Sequence, residues 1–63
     1  MSGREVAAKL SALRRSGRIR SWRLLGDDAF IGRTYAVETP HGRHRFEEAE
    51  IVAFLIGTEV GRA

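Results

Sequence analysis

Between residues 14 and 23 the chain carries five arginines, Arg14, Arg15, Arg18, Arg20 and Arg23, and no acidic side chain. Arg33, Arg43 and Arg45 add three more, while the acids gather elsewhere, in Asp27, Asp28 and the run Glu47, Glu48, Glu50. A guanidinium keeps its charge and donates in a planar fork. Clustered arginines therefore suit phosphate oxygens and the acceptor edge of guanine. The spacing points to nucleic acid as partner, DNA first with RNA also open. The same residues have a plain reading as solvated strand faces and helix-end partners, and a GC-rich coding sequence alone would favour arginine over the single Lys9. Placement, not number, has to decide between these.

Other chemistry is thinly represented. There is no cysteine, and His41 and His44 are the only histidines, so neither a disulfide nor a zinc cluster can staple the fold. No metal or cofactor is expected. Asp27-Asp28 reads as a turn rather than a cation site, because no further oxygen ligands stand near it in the sequence. Ser11, Ser16 and Ser21 lie in segments that structure explains, and no Gly-rich phosphate loop or spaced nucleophile and base is present, so the chain is not expected to be an enzyme. His44, beside two arginines, can donate to phosphate or simply pack. Trp22 and Tyr35 can stack on bases, but with five aromatics in all they are expected in the core.

A chain of 63 residues is one small domain, residues 1–63, and buries only about 60 % of its unfolded surface. Eleven Lys and Arg against eight Asp and Glu leave a net charge of +3. No apolar run approaches the roughly 20 residues that cross a bilayer, and no apolar secretory leader is evident, so a cytoplasmic location is expected.

The elements that must position the arginines follow from local chemistry. Ser2-Gly3-Arg4-Glu5 has the S-x-x-E form of a capping box, and Val6, Leu10 and Leu13 make one apolar stripe, which predicts a helix over 3–16 closed by Gly17. Arg14 and Arg15 suit its last turn. Residues 18–25 interleave basic and apolar side chains as a strand whose alternation slips between Ile19, Leu25 and Trp22, Leu24, leaving room for a bulge or a helical turn. Phe30 and Ile31, in the connector from Ala29 to Gly32, are expected to fold back onto the core.

Thr34 to Glu38 leads into a turn at Thr39-Pro40-His41-Gly42, and Arg43 to Phe46 leads out. Two rules disagree on register. The restriction on a residue before proline favours Thr39 opposite Arg43, whereas the hydrophobic pattern favours Glu38 opposite Arg43 and puts Tyr35, Val37, His44 and Phe46 on one face. The second is preferred here, and in both Arg43 and Arg45 share a face. Glu47, Glu48 and Glu50 suit the first turn of a final helix that stops near Gly57, with a frayed tail beyond. That helix is apolar over most of its circumference, which leaves it wrapped by the chain or shared with a second copy as a homodimer.

The run from Gly42 to Leu55, G-R-H-R-F-E-E-A-E-I-V-A-F-L, resembles the end of excisionase and MerR-like winged-helix DNA-binding domains, where a basic wing strand closes on an aromatic residue and an acidic, apolar helix follows. Leu13-Arg14-Arg15-Ser16-Gly17-Arg18-Ile19 is similar to the end of their recognition helix. The resemblance implies Arg14, Arg15 and Arg18 near the major groove and Arg43 and Arg45 on a wing near phosphate. Those domains also have a first helix and turn, for which this chain has no counterpart, and the segment from Trp22 to Gly32 is longer than a usual wing approach. The three-stranded sheet plus helix at the N-terminus of phage-type integrases matches the strand count better. The expectation is an α+β module, helix, three short antiparallel strands, helix, that binds DNA as a regulatory or mobile-element accessory factor. The alternative is a small protein-interaction module or inhibitor.

Overall fold

In the computed structural model, which describes residues 1–60, the first helix begins where the capping box places it. Ser2 accepts from the Glu5 backbone N–H at 3.2 Å, and α1 runs Gly3–Arg15 with Val6, Leu10 and Leu13 buried. Its end is a Schellman motif: Gly17, at φ +81, donates to the Arg14 carbonyl while Arg18 donates to that of Leu13. The chain then turns into β1 (Ser21–Asp28), β2 (Gly32–Thr39) and β3 (Gly42–Glu47), one antiparallel sheet in sequence order, and finishes in α2 (Glu48–Val60). No helix among the described residues is long and apolar enough to cross a membrane.

The hydrophobic pattern sets the hairpin register. Glu38 pairs with Arg43, Val37 with His44 and Tyr35 with Phe46. The turn closes because the Thr39 hydroxyl accepts from the His41 N–H and donates to the Gly42 carbonyl, both at 3.1 Å, with Gly42 at a φ of +134 that L side chains rarely adopt. In β1 the register shifts between Leu24 and Gly26, so Leu25 is a bulge residue and the imperfect alternation of this strand is accounted for.

Both helices pack on one face of the sheet. Val6, Leu10 and Leu13 from α1, Ile51 and Leu55 from α2, and Tyr35 and Val37 from β2 form a single core with Ile19, against which Trp22, Phe46, Val52 and Phe54 pack. Phe46 stacks on Phe54 with ring centroids 5.0 Å apart, joining β3 to α2. Glu47 is the last residue of β3 rather than part of the helix, and its N–H is accepted by the Glu50 carboxylate at 2.9 Å. The helix continues through Gly57 to Val60, contrary to the expected stop: the Thr58 hydroxyl bonds the Leu55 carbonyl, and Lys9 pairs with Glu59 across to α1. The rest of the expected tail lies outside the described residues.

Two apolar residues depart from expectation. Phe30 is 96 % exposed and Ile31 is 44 % exposed, neither folded back on the core. The connector of Ala29 to Ile31 is too short for that, because Asp28 accepts from the N–H groups of Phe30 and Ile31 and closes the turn at once.

Tyr35 offers a direct probe of the core. Burial pushes its phenol above 10.0, opposed by Arg33 and reinforced by Glu48 and Asp27. The fold thus favours the neutral phenol, and this contribution is complete below the unfolded value and lost as pH rises through the higher folded one. Tyr35 is the only tyrosine, so phenolate absorbance reports it alone. The expected alkaline titration has a midpoint above that of free tyrosine, which returns to the free value in denaturant.

Candidate nucleic-acid interface

Side chains alternate along a strand, and directly paired residues on neighbouring strands share a face. The rows Trp22, Val37, His44 and Leu24, Tyr35, Phe46 belong to the helix side. The alternate rows are Ser21, Glu38, Arg43 and Arg23, Ala36, Arg45, and these occupy the face that carries no helix. Arg23, Arg43 and Arg45 are all exposed there.

Ala36 shapes this face. Its methyl lies between Arg23 and Arg45, whose backbones are two strand spacings, about 10 Å, apart. Beside the methyl a shallow trough of about 460 Å³ is lined by Ser21, Arg23, Ala36, Glu38 and Arg43, while Arg45 borders a separate hollow with Leu25, Asp27, Asp28 and Thr34. Arg43 Nε sits 3.3 Å from Glu38 Oε2, with the Arg43 side chain 89 % exposed. An exposed pair of this kind contributes about 0–1 kcal/mol, so a phosphate can replace the carboxylate at little cost. No aromatic residue shares the face: Trp22, Tyr35 and Phe46 all point to the helices. The face is thus built for charge rather than for stacking.

The other arginines divide by position. Arg14 and Arg15 are exposed in the last turn of α1, Arg18 follows the Schellman turn, and Arg20 donates its backbone N–H to Glu38 O at 2.7 Å just before β1. All four therefore stand at the end of the sheet where β1 begins and the Pro40-His41 turn lies. Arg33 is separate. It belongs to the Tyr35 side, stands across from Asp27, and reaches Glu48 at 3.5 Å at the far end of the sheet. The fold therefore brings Arg23, Arg43 and Arg45 together, places Arg14, Arg15, Arg18 and Arg20 beside them at one end, and leaves Arg33 out.

That arrangement makes the molecule dipolar. Asp27, Asp28, Glu47, Glu48 and Glu50 lie at the end where β1 turns into β2 and β3 enters α2. His44 packs against Phe46 with ring centroids 5.8 Å apart on the helix side, although it remains solvent exposed. Ser21, Ala36 and Glu38 were not singled out from the sequence. The signal for Ala36 was its small size opposite two arginines, visible only once the register of both strand pairs is known.

The segments 13–19 and 42–55 form the end of α1 with its Schellman turn, and β3 with the first part of α2. Comparison of the chain with family models, with curated proteins and with solved structures finds no match.

Proposed function

We propose that this chain is a small DNA-binding protein that sets the open face of its sheet against duplex phosphates, as a regulatory or mobile-element accessory factor would. The observation that carries this reading is the pair of adjacent rows holding Arg23, Arg43 and Arg45 on a sheet face free of helices. A β-sheet or ribbon enters the major groove of B-DNA, and arginines at its surface serve both phosphate and guanine. The exposed Arg14, Arg15, Arg18 and Arg20 extend the basic surface beyond the sheet edge. The winged-helix resemblance points to the same partner class.

The lack of aromatics on this face favours duplex over single strands, because sheet proteins that hold single-stranded RNA stack its bases on surface aromatics. Fluorescence anisotropy with duplex DNA, duplex RNA and the single strands at several salt concentrations tests the reading. Duplex DNA should bind tightest, with log K falling against log salt at about −0.9 per phosphate neutralised. Binding that ignores salt, or is strongest for a single strand, would contradict it.

A second reading, a module that binds protein, is favoured by the fully exposed Phe30, for which the nucleic-acid face has no use. Capture from nuclease-treated lysate separates the two, since only a protein partner survives nuclease.

A further inference from the structure

The end of the hairpin between β1 and β2 is a finger. Phe30 and Ile31 project from it while Asp28 Oδ1 accepts from their backbone N–H groups at 2.7 and 3.3 Å, so the turn is held rather than slack. A single large apolar side chain fixed in water is the kind of anchor that protein interfaces bury. Its surroundings narrow the choice of partner. Asp27 and Asp28 flank it, and Glu48 lies beside it, although Arg33 stands across from Asp27 and pairs with Glu48. Phosphate-rich surfaces, whether nucleic acid or anionic lipid, are repelled by those carboxylates. The finger calls for an apolar recess with a cationic rim.

The chain itself carries one. On the helix side, at the opposite end of the sheet, a groove of about 610 Å³ opens between α2 and β3. Ile19, Phe46 and Phe54 supply its apolar lining, and Arg18, His41 and His44 stand at its exposed rim. Arg18 gives its rim the charge that the finger lacks. The length of β2, about 24 Å, separates finger from groove, so one copy cannot satisfy itself.

We propose that the chain assembles head to tail, the Phe30 finger of one copy entering the groove beside Phe54 of the next. Two different patches meet in this contact, so it is heterologous and repeats until a ring closes or the chain ends. The open sheet face stays uncovered, and the assembly does not depend on nucleic-acid binding.

Sedimentation of the nucleic-acid-free protein, over a concentration series reaching the millimolar range, tests this with two exposed-site variants. Circular dichroism first checks that each is folded. The wild type is expected to grow in mass with concentration and to shrink again at high salt. Phe30→Ser, which keeps the groove, and Arg18→Glu/His41→Glu, which keeps the finger, should each weaken self-association by roughly 10- to 100-fold. Mixed in equal amounts, the two variants should form a two-chain complex that grows no further, since each supplies the half that the other lacks. A wild type that stays monomeric throughout would overturn the proposal, as would variants that fail to complement. A dimer that persists unchanged in Phe30→Ser would also overturn it and would place the contact elsewhere, at Ile56 and Val60 on α2.

Discussion

Alanine at Arg23, Arg43 and Arg45 together is expected to lower affinity for duplex DNA by roughly 100-fold at moderate salt while leaving thermal unfolding unchanged. Each is an exposed, screened charge, for which a phosphate contact is worth about 1 kcal/mol, and three such losses come to about two decades in K. The salt slope should become shallower by about 2.7, because three fewer counterions are released. Stability is untouched because none of the three side chains enters the core. Two controls sharpen the result. Arg33→Ala should leave affinity nearly as it was, since Arg33 faces the helices and pairs with Glu48. Glu38→Ala should raise it, by freeing Arg43 from its carboxylate and removing a negative charge from the face. A triple variant that binds as the wild type does would move the site to the end of α1, around Arg14, Arg15 and Arg18.

Much of this architecture was legible in the residues because local and long-range signals agree. Ser2 and Glu5 mark the start of α1 and Gly17 its end, and the structure uses all three. In the hairpin the two rules that looked opposed are both satisfied: burial sets Glu38 opposite Arg43, and a two-residue turn lets Thr39 stay extended before Pro40 and bond across to Gly42. The candidate face was legible only in part. Arg43 and Arg45 share a side in either register, but their alignment with Arg23 through Ala36 depends on β1, whose slip at Leu25 hides its parity. Arg33 could have been set apart by counting, since it stands two residues before Tyr35 and so shares its side. Phe30 and Ile31 misled for a different reason. Apolar residues are buried by default, and nothing in composition shows that an Asp two residues earlier will close the turn and hold them in water. Gly57 misled as well, because one unfavourable helix residue costs only about 1 kcal/mol and the packing of α2 outweighs it.

Leu10→Ala or Ile51→Ala is expected to leave the domain largely unfolded at physiological temperature. Both side chains are fully buried, and they bring α1 and α2 together over Tyr35 and Val37. Such truncations cost about 2–5 kcal/mol, while a domain of this size commands only about 3–5 kcal/mol in all. Each kcal/mol shifts the melting temperature by about 4–8 °C, so calorimetry resolves even the smaller figure. Ile56→Ala is the contrast, since Ile56 is 50 % exposed and should move the melt by little; a large loss there would mean that the outer side of α2 is covered in solution. The same variants connect stability to function. A ligand that binds only the folded chain stabilises it by about 2.7 kcal/mol at 100 times its Kd, comparable to the core defect. Duplex DNA in excess should therefore restore the helical signal of Leu10→Ala, and should fail to do so once Arg23, Arg43 and Arg45 are also replaced. Recovery in both backgrounds would show that DNA engages the fold through some other surface.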